Sequence, residues 1–271
     1  MTCLDAISEL KGVIKNKPSF LKKYKAYREK NKNFDENQLI DWLPFFDSLI
    51  DSKEGYRSQV KLRSNFSKRF MYDLSLVYNR VKCNIPLRKI PWWHKVTNQI
   101  YLGALPFVGH IESFKKMGVT SVLSIVESFE REKSFIASPV KKGEWEKHNI
   151  RNIHLSHPDF IPVSLVVLYK SACALKDEIA KNERVYVHCK AGRGRSASAI
   201  LSYFIMFKGW SFEKAFNFLK SKRSHIAIKN KRFKMEILKC LYEIIELKKK
   251  KSLQKLFMLL TQEKKGLREI V

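Results

Sequence analysis

The sequence predicts an α/β protein, with a parallel-dominated central sheet flanked by helices and a helical N-terminal extension before it. Three observations carry this reading. From Ile85 onward, short β-branched apolar runs alternate with segments whose apolar residues recur at helical spacing, as strands joined by crossover helices do. The run Val185 to Val187 leads straight into a glycine-containing loop and then a long apolar helical segment. The first 84 residues are polar, basic and helical in period.

Within that extension Leu4, Ile7, Leu10 and Ile14 recur at helical spacing, and Pro18 then interrupts. Asp41 to Phe46 forms an apolar knot expected to pack on something, and Phe66, Phe70, Leu74 and Tyr78 form another helical stripe. The extension reads as helices covering part of the main domain, with a separate partner-binding or membrane-docking module as the alternative. Pro86, Pro91 and the paired Trp92 and Trp93 mark a boundary. This divides the chain into a basic extension (1–84), a catalytic domain (85–247) and a basic helical tail (248–271).

Gln99 to Leu102, Ser121 to Val126 and Asn152 to Leu155 read as strands, with a helix near Ile111 to Met117. Leu165, Leu168, Ala172, Leu175 and Ile179 mark one apolar helix face, at spacings of three and four. Val185 to Val187 is a buried strand, followed by helices at about Ser196 to Phe207, Ser211 to Lys220 and Phe233 to Leu247. The tail opens on Lys248 to Lys251, a cluster able to draw a chain toward anionic lipid at about 1 kcal/mol per basic residue.

The formal charge of +27 attracts polyanions. Nucleic acid, anionic lipid and phosphorylated substrates are the candidates, and the aromatic-interleaved pattern of nucleic-acid binders is not evident. Cys3, Cys83, Cys173, Cys189 and Cys240 are scattered, odd in number and without C-x-x-C pairing. That argues against a disulfide framework and for a reducing intracellular compartment. No signal-peptide pattern or membrane-length apolar run is evident, so a soluble or membrane-peripheral protein is expected. No metal-ligand constellation or cofactor motif stands out, and the sequence does not address oligomeric state.

The informative stretch is Val185 to Ala197, which reads as a strand, a tight loop and a helix N-terminus. Backbone N–H groups in such a loop can hold a tetrahedral anion, and the helix dipole adds positive potential. A cysteine in that field is a thiolate near neutral pH, poised for phosphoryl transfer to sulfur.

The spacing His188, Cys189, five residues, Arg195, Ser196 resembles the signature loop of the cysteine-dependent protein tyrosine phosphatases, their dual-specificity branch in particular. The resemblance implies that Cys189 is the nucleophile and that Arg195 forks onto two phosphate oxygens. It implies that His188 helps lower the cysteine's pKa and that Ser196 hydrogen-bonds the departing sulfur. Lys190, Ala191, Gly192, Arg193 and Gly194 would supply backbone donors, with Gly192 and Gly194 permitting the required angles. His157, Pro158 and Asp159 resemble the family's Trp-Pro-Asp element with histidine in place of tryptophan, making Asp159 the expected general acid and base.

Ile100 to Pro106, Val126 to Glu130 and Lys222 to Ile228, together with Cys189 to Arg193, resemble one subgroup, the mitochondrial-type phosphatidylglycerophosphate phosphatases. That likeness covers roughly Pro91 to Ile245. The subgroup's Glu-Glu-Tyr-Glu element reads Glu127, Ser128, Phe129, Glu130 here, and either outer glutamate could orient Arg193 or Arg195. Between Ser211 and Cys240 nine basic and two acidic residues read as a positive rim, suited to a phosphorylated lipid headgroup. The expected function is therefore a metal-independent phosphomonoester phosphatase acting on a lipid headgroup, such as phosphatidylglycerophosphate or a phosphoinositide. The alternatives are a phosphatase of phosphotyrosine, phosphoserine and phosphothreonine in proteins, and a catalytically silent phosphate-binding module.

Overall fold

The computed structural model describes residues 18–35, 38–51, 72–74, 76–77, 90–132, 138–228, 232–247 and 250–262. The Leu4 to Ile14 stripe, Phe66, Phe70, Tyr78 and the tail beyond residue 262 lie outside them. The chain divides into two compact units, Met1–Glu54 with Arg232–Val271, and Gly55–Lys231.

In the first unit, helix α1 spans Pro18–Lys30. Helix α2 (Leu39–Asp51) contains the apolar knot, and that knot does pack. Trp42 stacks on Tyr24, with ring centroids 5.6 Å apart, and Phe34, Phe45 and Phe46 meet Trp42 at steeper angles.

The second unit carries the sheet. Its strands are β1 (Trp93–Lys95), β2 (Ile100–Gly103), β3 (Ser121–Ser124), β4 (Arg151–His154) and β5 (Val185–His188), in the order β1-β2-β5-β3-β4. β1 is antiparallel to β2, and every other pairing is parallel. The mixed, mostly parallel sheet expected from the alternation is therefore present. The edge strand β1 was not legible, because Trp93 to Lys95 is too short to show a period.

Helices α3 (Ile111–Lys116), α4 (Lys142–Lys147), α5 (Leu165–Ala180), α6 (Arg195–Phe207) and α7 (Phe212–Lys222) connect and flank these strands. Ser164 and Ser211 cap α5 and α7, each hydroxyl accepting the N–H three residues on at 3.2 Å. β5 lies between β2 and β3 with all four residues buried, which is why it reads as an unbroken apolar run rather than an alternating one. Phe114, Trp145 and Tyr186 centre the core on one face of the sheet. The helical residues 72–74 and 76–77 bury Tyr72 and Leu76 beside Leu105, Val126 and Cys189. Leu74, placed on the apolar stripe by sequence spacing, is 55% exposed; the buried face runs through Tyr72 and Leu76 instead.

The first unit is completed by α8 (Arg232–Ile245) and α9 (Lys250–Gln262). Lys234 reaches Asp47 of α2 at 2.9 Å, and both side chains are buried. Two of the basic residues assigned to a positive rim are thus interior: Lys234 at 2% exposure and Arg223 at 1%.

Candidate active site

β5 ends at His188, and the loop 189–194 then turns into the N-terminus of α6, where Arg195 and Ser196 begin the helix. This places the loop at the carboxyl end of the central strand of an open α/β sheet, the position where such folds bind ligands. Gly192 has φ +66°, and a Cβ there would fall 2.4 Å from the Gly103 carbonyl oxygen. Only glycine meets both demands. Gly194 has φ −110° as the residue preceding α6, which other residues also adopt, so the expectation that both glycines serve special backbone angles holds for Gly192 alone.

Cys189 is 3% exposed. Burial raises its thiol, but the Arg195 guanidinium and hydrogen bonds from the Ser196 hydroxyl and N–H more than offset this, leaving it below the ordinary 9.0. The Ser196 hydroxyl donates to the sulfur at 3.3 Å.

His188 acts differently from the expectation. Full burial, with Arg131 and Arg195 nearby, pushes it down to about 3, so its ring is neutral and adds no charge to the thiolate's field. Its Nδ1 faces the Cys189 carbonyl at 3.3 Å, and its Nε2 pairs with the Ser124 hydroxyl at 2.8 Å. That hydroxyl in turn accepts from Asn152 Nδ2 at 2.8 Å. A chain of neutral hydrogen bonds from β4 through β3 thereby fixes the backbone of the cysteine.

Arg195 is 2% exposed and held by Glu130, whose carboxylate takes Nη1 at 2.6 Å and Nη2 at 2.9 Å. The His157 carbonyl also accepts from Nη1, at 2.8 Å. Burial opposes the guanidinium's charge and Glu130 outweighs it, so the arginine stays protonated. Its Nε is buried with no hydrogen-bond partner among the described residues. An orphaned donor on a gripped guanidinium beside a nucleophilic sulfur is an unfilled half of a bidentate clamp. Of the two candidate glutamates, Glu130 grips Arg195. Glu127 holds Glu130 in turn, its N–H donating to Glu130 Oε2 at 2.8 Å and its carbonyl accepting the Glu130 N–H at 3.1 Å. Arg193 turns elsewhere, its Nε donating to the His225 carbonyl at 2.9 Å.

Asp159 meets the loop from the far side. Its carboxylate lies 2.5 Å from Lys190 Nζ and 3.3 Å from Arg195 Nη2. Burial raises it, Arg195 and Lys190 lower it, and the cations prevail, so it is ionised in this state. The Lys190 ammonium lies over the rings of Phe160 at 4.6 Å and Tyr72 at 5.7 Å. His157, which replaces the expected tryptophan, is buried and anchors its loop with both nitrogens, Nδ1 to the Pro158 carbonyl at 2.8 Å and Nε2 accepting the Ser164 N–H at 3.2 Å.

Cys189, Ser196, Arg195, Glu130, Lys190 and Asp159 are therefore brought together. Tyr72, Phe160, Ser124 and Arg223 also belong to this neighbourhood and were given no role from sequence. Tyr72 reaches the site through its hydroxyl, which donates to the Glu130 carbonyl across 58 positions at 2.9 Å, a pairing with no local signal. Phe160 could have been suspected from its place next to Asp159.

The model for the catalytic domain of dual-specificity phosphatases matches residues 100–242. The chain belongs to the dual-specificity phosphatase family. Its relatives within the family include the mouse phosphatidylglycerophosphatase and protein-tyrosine phosphatase 1, 35% identical over 151 residues, which are 55% of this chain and 75% of that one. The Arabidopsis thaliana phosphatidylglycerophosphate phosphatase PTPMT1 is 26% identical over 161 residues, 59% of this chain and 45% of that protein's length. The crystal structure of PTPMT1 in complex with PI(5)P superposes with a TM-score of 0.51 at 30% identity, covering 58% of this chain and 99% of that one. As a dual-specificity phosphatase of the PTPMT1-like subgroup, the protein is a cysteine-based phosphatase.

Proposed function

We propose that the protein hydrolyses phosphomonoesters on a lipid headgroup through a phosphocysteine intermediate, with Cys189, Arg195, Asp159 and Ser196 in the reacting roles. The observation that carries the chemistry is the buried Arg195, whose Nε has no partner among the described residues, beside a buried cysteine whose thiol is lowered. A phosphate monoanion enters, its oxygens take Arg195 Nε and Nη2 and the loop N–H groups, and its proton passes to Asp159. The bound phosphate competes for the cations that held Asp159 ionised, so the aspartate's proton affinity rises as the substrate arrives.

Cys189 sulfur then bonds to phosphorus as the ester P–O bond breaks, and Asp159 gives its proton to the leaving oxygen. In the second step water attacks phosphorus, the Asp159 carboxylate takes its proton, and the P–S bond breaks. Ser196 donates to the returning thiolate. Inorganic phosphate leaves, and the chain's own cations carry the charge throughout.

The lipid assignment is supported by relatives named for phosphatidylglycerophosphate and by the PI(5)P complex of a similar structure. The proposal extends to peripheral contact of the basic tail, including Lys251 and Lys255 of α9, with anionic membranes. No described helix is long and apolar enough to cross one. Phosphate release from phosphatidylglycerophosphate, phosphoinositides and phosphopeptides, measured for the wild type beside Cys189→Ser, tests the substrate class. Faster turnover of the lipids supports the reading. A clear preference for phosphopeptides overturns it in favour of protein dephosphorylation, and no turnover of any would leave a silent phosphate-binding module.

A further inference from the structure

A planar trans peptide points its C=O and N–H in opposite directions, so whatever grips a loop carbonyl also aims the next residue's N–H. Around the catalytic loop each carbonyl from Lys190 to Arg193 has an external donor. The Leu105 N–H holds the Lys190 carbonyl at 3.1 Å, and the Ala227 N–H holds that of Arg193 at 2.9 Å. The two between them are held by a single side chain. Arg223 Nη2 donates to the Ala191 carbonyl at 3.3 Å, and its Nε donates to the Gly192 carbonyl at 2.9 Å. The peptides concerned carry the N–H groups of Gly192 and Arg193.

Arg223 is itself fixed. It is 1% exposed, and its Nη1 donates to the Pro91 carbonyl at 3.1 Å and to His94 Nδ1 at 2.7 Å. Acceptance at that nitrogen requires the imidazole unprotonated there, which agrees with the lowered proton affinity that burial and Arg223 impose on His94. We infer that Arg223 is a positioning residue for catalysis: it pins the outer carbonyls of Ala191 and Gly192 so that the Gly192 and Arg193 N–H groups converge on the bound phosphate. Its charge lies on the carbonyl side of the loop, where it also offsets two carbonyl dipoles that would otherwise weaken the anion site. This rests on the phosphatase chemistry of the site and is independent of which phosphomonoester is the natural substrate.

The test uses the whole 271-residue chain, a chromogenic aryl phosphate, orthovanadate inhibition, and the pH dependence of Cys189 alkylation by iodoacetamide. Arg223→Met removes two charge-assisted loop contacts and should weaken vanadate inhibition and kcat/KM by about tenfold or more, with Cys189 alkylation shifted to higher pH. His94→Phe keeps the arginine and loosens its anchor, and should move all three readouts the same way by less. Arg223→Lys keeps charge but not the planar fork and should fall between wild type and Arg223→Met. A fall in Tm for these variants with unchanged vanadate affinity and alkylation midpoint would overturn the inference, making Arg223 a structural residue. If Arg223→Met does not fold, His94→Phe and Arg223→Lys decide. A wild-type Cys189 that alkylates like an ordinary thiol would instead defeat the phosphatase chemistry itself, so the two failures are distinct.

Discussion

Cys189 and Cys240 are both buried, at 3% and 1% exposure, and their thiols move in opposite directions. Cys240 sits in α8, and burial pushes it up to about 11. Cys189 is desolvated at least as strongly and yet ends below the ordinary value. Burial of both with opposite outcome points to what the loop adds: a gripped guanidinium and hydrogen bonds from the Ser196 hydroxyl and N–H at a helix N-terminus. The reactive site is made by the field around the sulfur, not by access to it.

The comparison can be broken most severely by removing one sulfur at a time. Cys189→Ser should lower kcat by roughly 10⁴–10⁶-fold while phosphate binding survives, as loss of a nucleophile does, whereas Cys240→Ala should leave kcat unchanged. Full activity in the first variant or inactivity in a folded second one would end the distinction.

Arg195→Met should make Cys189 behave like Cys240, with turnover reduced on the order of 10³-fold. Its alkylation, followed on the Cys189 and Cys240 peptides by mass spectrometry, should move to the higher pH range of the other thiol. Asp159→Asn sharpens the comparison from the other direction. It should reduce turnover of alkyl phosphates by about 10²-fold or more, with a smaller loss for substrates whose leaving groups need no proton. It should also lower the pH at which Cys189 reacts, because the Asp159 charge opposes the thiolate. An equal loss for all leaving groups would argue that the aspartate holds Lys190 and Arg195 rather than moving a proton.

The smallest effect concerns stability against pH. His188 is neutral when folded, with its folded value depressed to about 3 from 6.5. The stability it contributes is present above about pH 6.5 and is lost progressively as pH falls toward 3. Replacing it with glutamine, an uncharged hydrogen-bonding side chain, should flatten that part of a denaturant-midpoint profile. An unchanged slope would show that His188 is charged in the folded protein.

The sheet was readable because β5 and β3 are buried on both faces and announce themselves as short apolar runs. The site was readable where chemistry follows chain spacing, from His188 to Ser196. What the sequence hid is contact across long separations. Arg223 looks like one more lysine-rich helix end until the fold buries it against the Ala191 and Gly192 carbonyls. Lys234 looks like a solvated charge until Asp47, 187 positions away, pairs with it. His188 shows the same limit: local sequence shows an imidazole beside a cysteine but not the burial that keeps it neutral.

The contact between Gly103 and Gly192 has a meaning for assembly of the fold. A Cβ at Gly103 would fall 2.1 Å from the Tyr186 hydroxyl, and that hydroxyl donates to the Ala104 carbonyl at 2.6 Å. Since β2 pairs with β5 in parallel register, a slip of one residue would present Leu102 or Ala104 where no side chain fits. The space beside Tyr186 thus favours the alignment of β2 with β5 that the catalytic loop requires.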